Sequence, residues 1–232
     1  MLGFRRKDEY MELHEHVLKA IRDLEMGDKE PAIMHACAAI DATAEKLFGK
    51  SGRRSYKDCV QKYLWVIEAM MGFGVNLEDT AWKNVSIKDN YGNRVEVESF
   101  GDIIYHIFRC HHAHGKPVSS GYELLPEVEG KLHWQIGGGV IRMPDAIIPA
   151  LLAVSVFSKP NFGISTTGDY FLSLGQEKFL VKEWWGREDD FKNLLASKIP
   201  KRTRVKIDGL ETLHPNDEKS VFEIDVVPPT WT

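Results

Sequence analysis

The chain has 232 residues, 30 Lys and Arg against 34 Asp and Glu, a formal net charge of −4 and 43% hydrophobic residues. Length and apolar content suit one large domain or two small ones around a real core. The mild acidity excludes a generally basic, nucleic-acid-coating surface, so any RNA contact has to be local.

Three cysteines, Cys37, Cys59 and Cys110, with no CxxC pair, read as reduced thiols of a cytoplasmic protein rather than a disulfide framework. The start MLGFRRKDEYMELHEH lacks the apolar stretch of a secretory signal. The longest apolar run, 146–157, contains Pro149 and is far shorter than the ~20 residues that span a bilayer.

In chain order, residues 9–26 place Met11, Leu13, Val17, Leu18, Ile21 and Leu24 at three- and four-residue spacings, which predicts an amphipathic helix ending near Gly27. A second helix starts at Asp28 to Pro31. Its seam is Ile33, Cys37, Ile40, Ala44 and Leu47, its neighbouring alanines permit close packing, and Gly49 and Gly52 stop it. A third helix fits 55–71, with Cys59, Val60, Leu64, Ile67 and Met71 inward.

The period then changes. VSIKDNYGNRVEV alternates around a DNYGN turn and predicts an inserted hairpin. A fourth helix opens at Ser99, where Ser-Phe-Gly-Asp offers a capping box with Asp102, and runs to Gly115-Lys116-Pro117. On a regular helix Phe100, Ile103, Ile104 and Ile107 share one face, with Asp102, Tyr105 and Arg109 opposite.

Beyond residue 118 the pattern predicts a strand in KLHWQI, a glycine turn at 137–139, a short strand, a helix near 143–158, and hairpins. One hairpin turns at Gly175. In another, RVKID and SVFEIDV are expected to pair, with Arg204 and Lys206 facing Glu223 and Asp225. The basic segments KSGRRSYK and KIPKRTRVK read first as solvated loop charge. The expected fold class is α+β: mainly a bundle of four to five helices over residues 1–118, with the inserted hairpin, then a strand-rich α+β region over 119–232 packed on the bundle.

The chemistry-bearing stretch is YHIFRCHHAHG, residues 105–115. His106, Cys110 and His114 stack at i, i+4, i+8 and offer imidazole and thiolate to zinc, but a fourth ligand is missing. A zinc-binding regulator is therefore the weakest reading, and no metal or cofactor is assigned. Gly49-Lys50-Ser51 is not a phosphate loop, because Ala44 stands where the first glycine belongs.

That leaves Arg109 and His114, an arginine followed after four residues by a histidine at the end of the last helix of a helical unit. With the Ala-rich ACAAIDATAEKLFG and the basic-aromatic GRRSYKDCVQKYL, this order resembles the HEPN superfamily (higher eukaryotes and prokaryotes nucleotide-binding domains), over roughly residues 9–117. The resemblance implies a metal-independent endoribonuclease that attacks with the ribose 2′-hydroxyl and leaves a cyclic phosphate. It also implies a phage-defence or toxin–antitoxin setting, RNA as substrate or ligand, and a protein antitoxin or regulator as partner.

In that chemistry Arg109 stabilises the phosphorane and His114 acts as general acid or base. Five residues of ideal helix turn about 500°, which separates the two side chains, so either His114 leaves the helix or a homodimer supplies both. Cys110 departs from the polar residue expected after the arginine. The alternative is a non-catalytic module binding RNA, nucleotide or protein, with its function residing in residues 119–232; read structurally, Arg109 is a surface charge paired with Asp102 and His114 is favoured by the helix dipole.

Overall fold

A computed structural model of the chain describes residues 11–71, 75–83, 85–88, 93–109, 122–128, 132–137, 140–196, 203–208 and 222–226. Helices α1 (Leu13–Glu25) and α2 (Lys29–Phe48) are joined through Gly27, whose φ of 83° is left-handed. Then come α3 (Arg53–Lys62), α4 (Leu64–Met70), strands β1 (Val75–Lys83), β2 (Val85–Lys88) and β3 (Arg94–Val97), and α5 (Phe100–Ile104). The last continues directly as a π-helical turn, Tyr105–Arg109.

The second half holds β4 (Tyr122–Leu125), β5 (Leu132–Gly137), β6 (Val140–Pro144), α6 (Ile147–Phe157), β7 (Phe171–Leu174) and β8 (Glu177–Leu180). It ends with α7 (Val181–Trp184), α8 (Glu188–Ala196), β9 (Thr203–Asp208) and β10 (Phe222–Val226). The fold class is α+β, with a helical first half, an inserted β2–β3 hairpin and a strand-rich second half.

The seams read from periodicity are inward. Val17, Ile21, Ile33, Cys37, Ile40 and Ala44 are all buried. Ala32, Ala36 and Ala39 are fully buried as well, and small side chains there let neighbouring helices approach α2 closely. Helix α6 packs against both α2 and α4 and is buried on every side except at Pro149, which falls in its first turn where proline is tolerated. Its buried Ser155 is matched: the hydroxyl accepts from Thr43 Oγ1 at 3.2 Å and the carbonyl accepts from the Asn161 amide at 2.8 Å.

Two expectations are corrected. The single helix predicted over 55–71 is two, broken at Tyr63 (φ −105°, ψ 19°). The Tyr63 ring is buried and its hydroxyl donates to Glu188 Oε2 of α8 at 3.0 Å, so tertiary anchoring outweighs helix continuity. RVKID and SVFEIDV do not pair with each other either. β9 runs parallel to β1, with Val75 beside Thr203, whereas β10 pairs antiparallel with β5, Phe222 beside Ile136. Alternation marks a strand but does not choose its partner.

The β2–β3 hairpin is as read, Val85 opposite Val97, and so is the β7–β8 hairpin at Gly175 (φ 58°). β10, β5, β6 and β4 form one four-stranded sheet in that order. Among the described residues no helix is long and apolar enough to cross a membrane.

Candidate functional site

The predicted Ser99 cap starts α5, but the box with Asp102 is not closed, since the carboxylate takes the Glu98 N–H rather than the Ser99 N–H. Ser99 Oγ accepts from the Asp102 backbone N–H at 3.2 Å. The Asp102 carboxylate accepts in turn from Ser99 Oγ at 2.9 Å and from the Glu98 N–H at 3.2 Å. Lys57 of α3 forms an ion pair with the other Asp102 oxygen. Burial pushes the Asp102 carboxyl up, but hydrogen bonds from Lys57, Ser99 and Glu98, with the Lys57 charge, outweigh it and hold the group below the usual carboxylate range.

The regular helix lasts only to Ile104. From Tyr105 to Arg109 the chain is π-helical, with bonds to the fifth residue back and a wider turn, so a wheel drawn at 100° per residue fails beyond that point. Every residue from Phe100 to Phe108 is buried. Of the polar face expected opposite the isoleucines, Asp102 and Tyr105 are interior: Asp102 is committed to the cap and to Lys57, and Tyr105 packs edge-on to Tyr56 at 5.8 Å.

His106, 7% exposed, carries the most informative contact of this turn. The guanidinium of Arg53, an exposed residue at the start of α3, lies 2.9 Å from His106 Nε2 and sits over the Tyr105 ring at 5.4 Å from its centre. Because arginine only donates, the imidazole nitrogen accepts, and His106 is neutral at that atom. Sequence reading set His106 aside and took Arg53 as loop charge. Fifty-three residues separate the two, and no local pattern announces the contact.

Arg109 closes the π turn, and α2 and α3 both pack against that turn. The side chain of Arg109 and the whole of Cys110, His111, His112 and His114 lie outside the described residues. Asp41 of α2 is half-buried near Tyr56 and Cys59. Burial pushes the Cys59 thiol up to about 12, with the Lys62 charge opposing and Asp41 adding a smaller rise, so this cysteine is inert as a nucleophile. Among the described residues no three His, Cys, Asp or Glu side chains are grouped to hold a metal ion.

A second polar feature lies between α1 and α2, where His16 Nδ1 meets His35 Nδ1 at 3.0 Å. Beside it α1 and the 165–167 segment line an open groove of about 780 Å³ with Glu12, Glu15, Lys19 and Arg22. Its charges are mixed, and Arg22 is tied to the Tyr170 hydroxyl at 2.6 Å, so the groove selects no one sign of ligand.

The π turn thus brings together a fixed, exposed guanidinium, a neutral imidazole acceptor and the backbone of Arg109, an arrangement suited to an anion. A family model named Rv1289 matches residues 12–212. The uncharacterised protein Rv1289 of Mycobacterium tuberculosis H37Rv is 29% identical over 185 residues, covering 78% of this chain and 86% of its own. The uncharacterised protein Mb1320 of Mycobacterium bovis matches to the same extent. No solved structure matches the chain. With most of its length inside the family model, the chain belongs to the Rv1289 family.

Proposed function

We propose that this protein is a HEPN-like, metal-independent endoribonuclease acting as a homodimer, with Arg109 stabilising the phosphorane and His114 as general acid and base across the dimer. The observation that supports this reading best is the π-helical turn ending at Arg109, flanked by the fixed Arg53–His106 pair. Such turns are rare and concentrate at functional sites. Two protomers supply two arginines and two histidines, which gives the 2′-hydroxyl a base and the departing 5′-oxygen an acid. A defence or toxin–antitoxin role extends this reading by resemblance alone.

The test is incubation of single-stranded RNA with the protein in EDTA. The reading expects cleavage products ending in 2′,3′-cyclic phosphate; cleavage only after a divalent metal is added would overturn it. A second reading, RNA binding without cleavage, is favoured by Cys110 directly after the motif arginine. It expects retention of the RNA with no products.

A further inference from the structure

Several cations that tie this fold together have carboxylates: Lys57 has Asp102, Lys29 has Asp145 and Lys159 has Asp189. Arg53, like Arg22 against Tyr170, is held by neutral groups instead. Its guanidinium is held by a neutral acceptor, His106 Nε2 at 2.9 Å, and by the Tyr105 ring at 5.4 Å, neither of which cancels its charge. Among the described residues no carboxylate lies within ion-pair distance of Arg53.

We propose that Arg53, aimed by His106 and Tyr105, binds a backbone phosphate of single-stranded RNA next to the phosphate assigned above to Arg109; this rests on the ribonuclease reading.

Three features point to a phosphate ligand. The guanidinium is exposed, so it is open to a macromolecule, while its holders are buried at 7% and 8% exposure and anchor it to the core. One guanidinium nitrogen serves His106, which leaves N–H groups of the planar fork for the paired oxygens of a phosphodiester. Placement is the third. His106 and Arg109 share one π turn, so the residue that aims Arg53 lies three positions before Arg109 on the same turn. His106 acts here as a positioning residue and touches no substrate.

The experiment measures fluorescence anisotropy of a labelled 2′-O-methyl oligouridylate, which lacks the attacking hydroxyl, with the full chain in EDTA over a salt series. Arg53→Ala is expected to weaken binding roughly tenfold and to lower the slope of log K against log salt by about 0.7, the release expected for one phosphate contact on a single strand. Arg53→Lys should keep the slope but not the full affinity, since a point charge cannot take the fork geometry. His106→Gln, which retains an acceptor, should bind more tightly than His106→Phe, a difference that loss of packing alone does not produce. If the wild type binds and cleaves RNA and Arg53→Ala binds with unchanged affinity and slope, this inference falls and the ribonuclease reading stands. If the wild type neither binds the probe nor cleaves RNA, both fall.

Discussion

His16 of α1 and His35 of α2 meet Nδ1 to Nδ1 at 3.0 Å, so only one proton fits between the rings. Burial pushes the half-buried His16 down to about 4, reinforced by the neighbouring His35 and Lys19 and opposed by Glu15. Burial and Lys19 also lower His35, against Asp23. Groups depressed in the fold bind fewer protons there than in the unfolded chain. The stability they contribute is complete above the ordinary histidine value of 6.5 and is lost as pH falls from there through about 4. After discounting for the exposed part of the ring, His16 accounts for on the order of 1–2 kcal/mol. Melting curves from about pH 7 to about pH 4.5 should therefore fall more steeply for the wild type than for His16→Gln. Parallel curves would remove the pair from the acid response.

The Ser99–Asp102 cap marks where α5 begins, one turn before its π turn. Ser99→Ala should cost about 1 kcal/mol in urea unfolding, the usual value of a lost cap. Asp102→Ala should cost more, roughly 1.5–3 kcal/mol, because it also strips Lys57 of its partner. Equal costs would mean that the Lys57 ion pair contributes nothing beyond the cap.

Two left-handed glycines allow a paired test of packing. Gly27 (φ 83°) has open space where a Cβ would go, so Gly27→Ala should lose only about 1–2 kcal/mol of backbone strain. Gly186 (φ 71°) lies against Phe162, and an added methyl would overlap the Phe162 Cα and amide nitrogen as well as approach its Cβ at 2.6 Å. Gly186→Ala should carry the same strain plus a backbone displacement and melt well below Gly27→Ala. Similar melting temperatures would contradict the close approach.

Local signals in the sequence served well where the physics is local. The α2 seam, the Ser99 cap, the glycine stop at Gly49 and both tight hairpins are set by residues within a few positions of one another. Two misreadings are long-range: the break at Tyr63 depends on Glu188, and the partner of β9 is β1. Others are local, since α7 and α8 lie in a stretch read only as hairpins. At the candidate site the sequence singled out Arg109, but a regular-helix wheel could not foresee the π turn. Nor could it foresee that Arg53 reaches His106 from another helix.

The central claim is tested most directly by RNA cleavage in EDTA with wild type and His114→Ala compared at equal concentration and with matching melting temperatures. The account predicts that His114→Ala loses cleavage by a factor of at least about 100, the lower range of general acid–base contributions. Undiminished cleavage by that variant would contradict it.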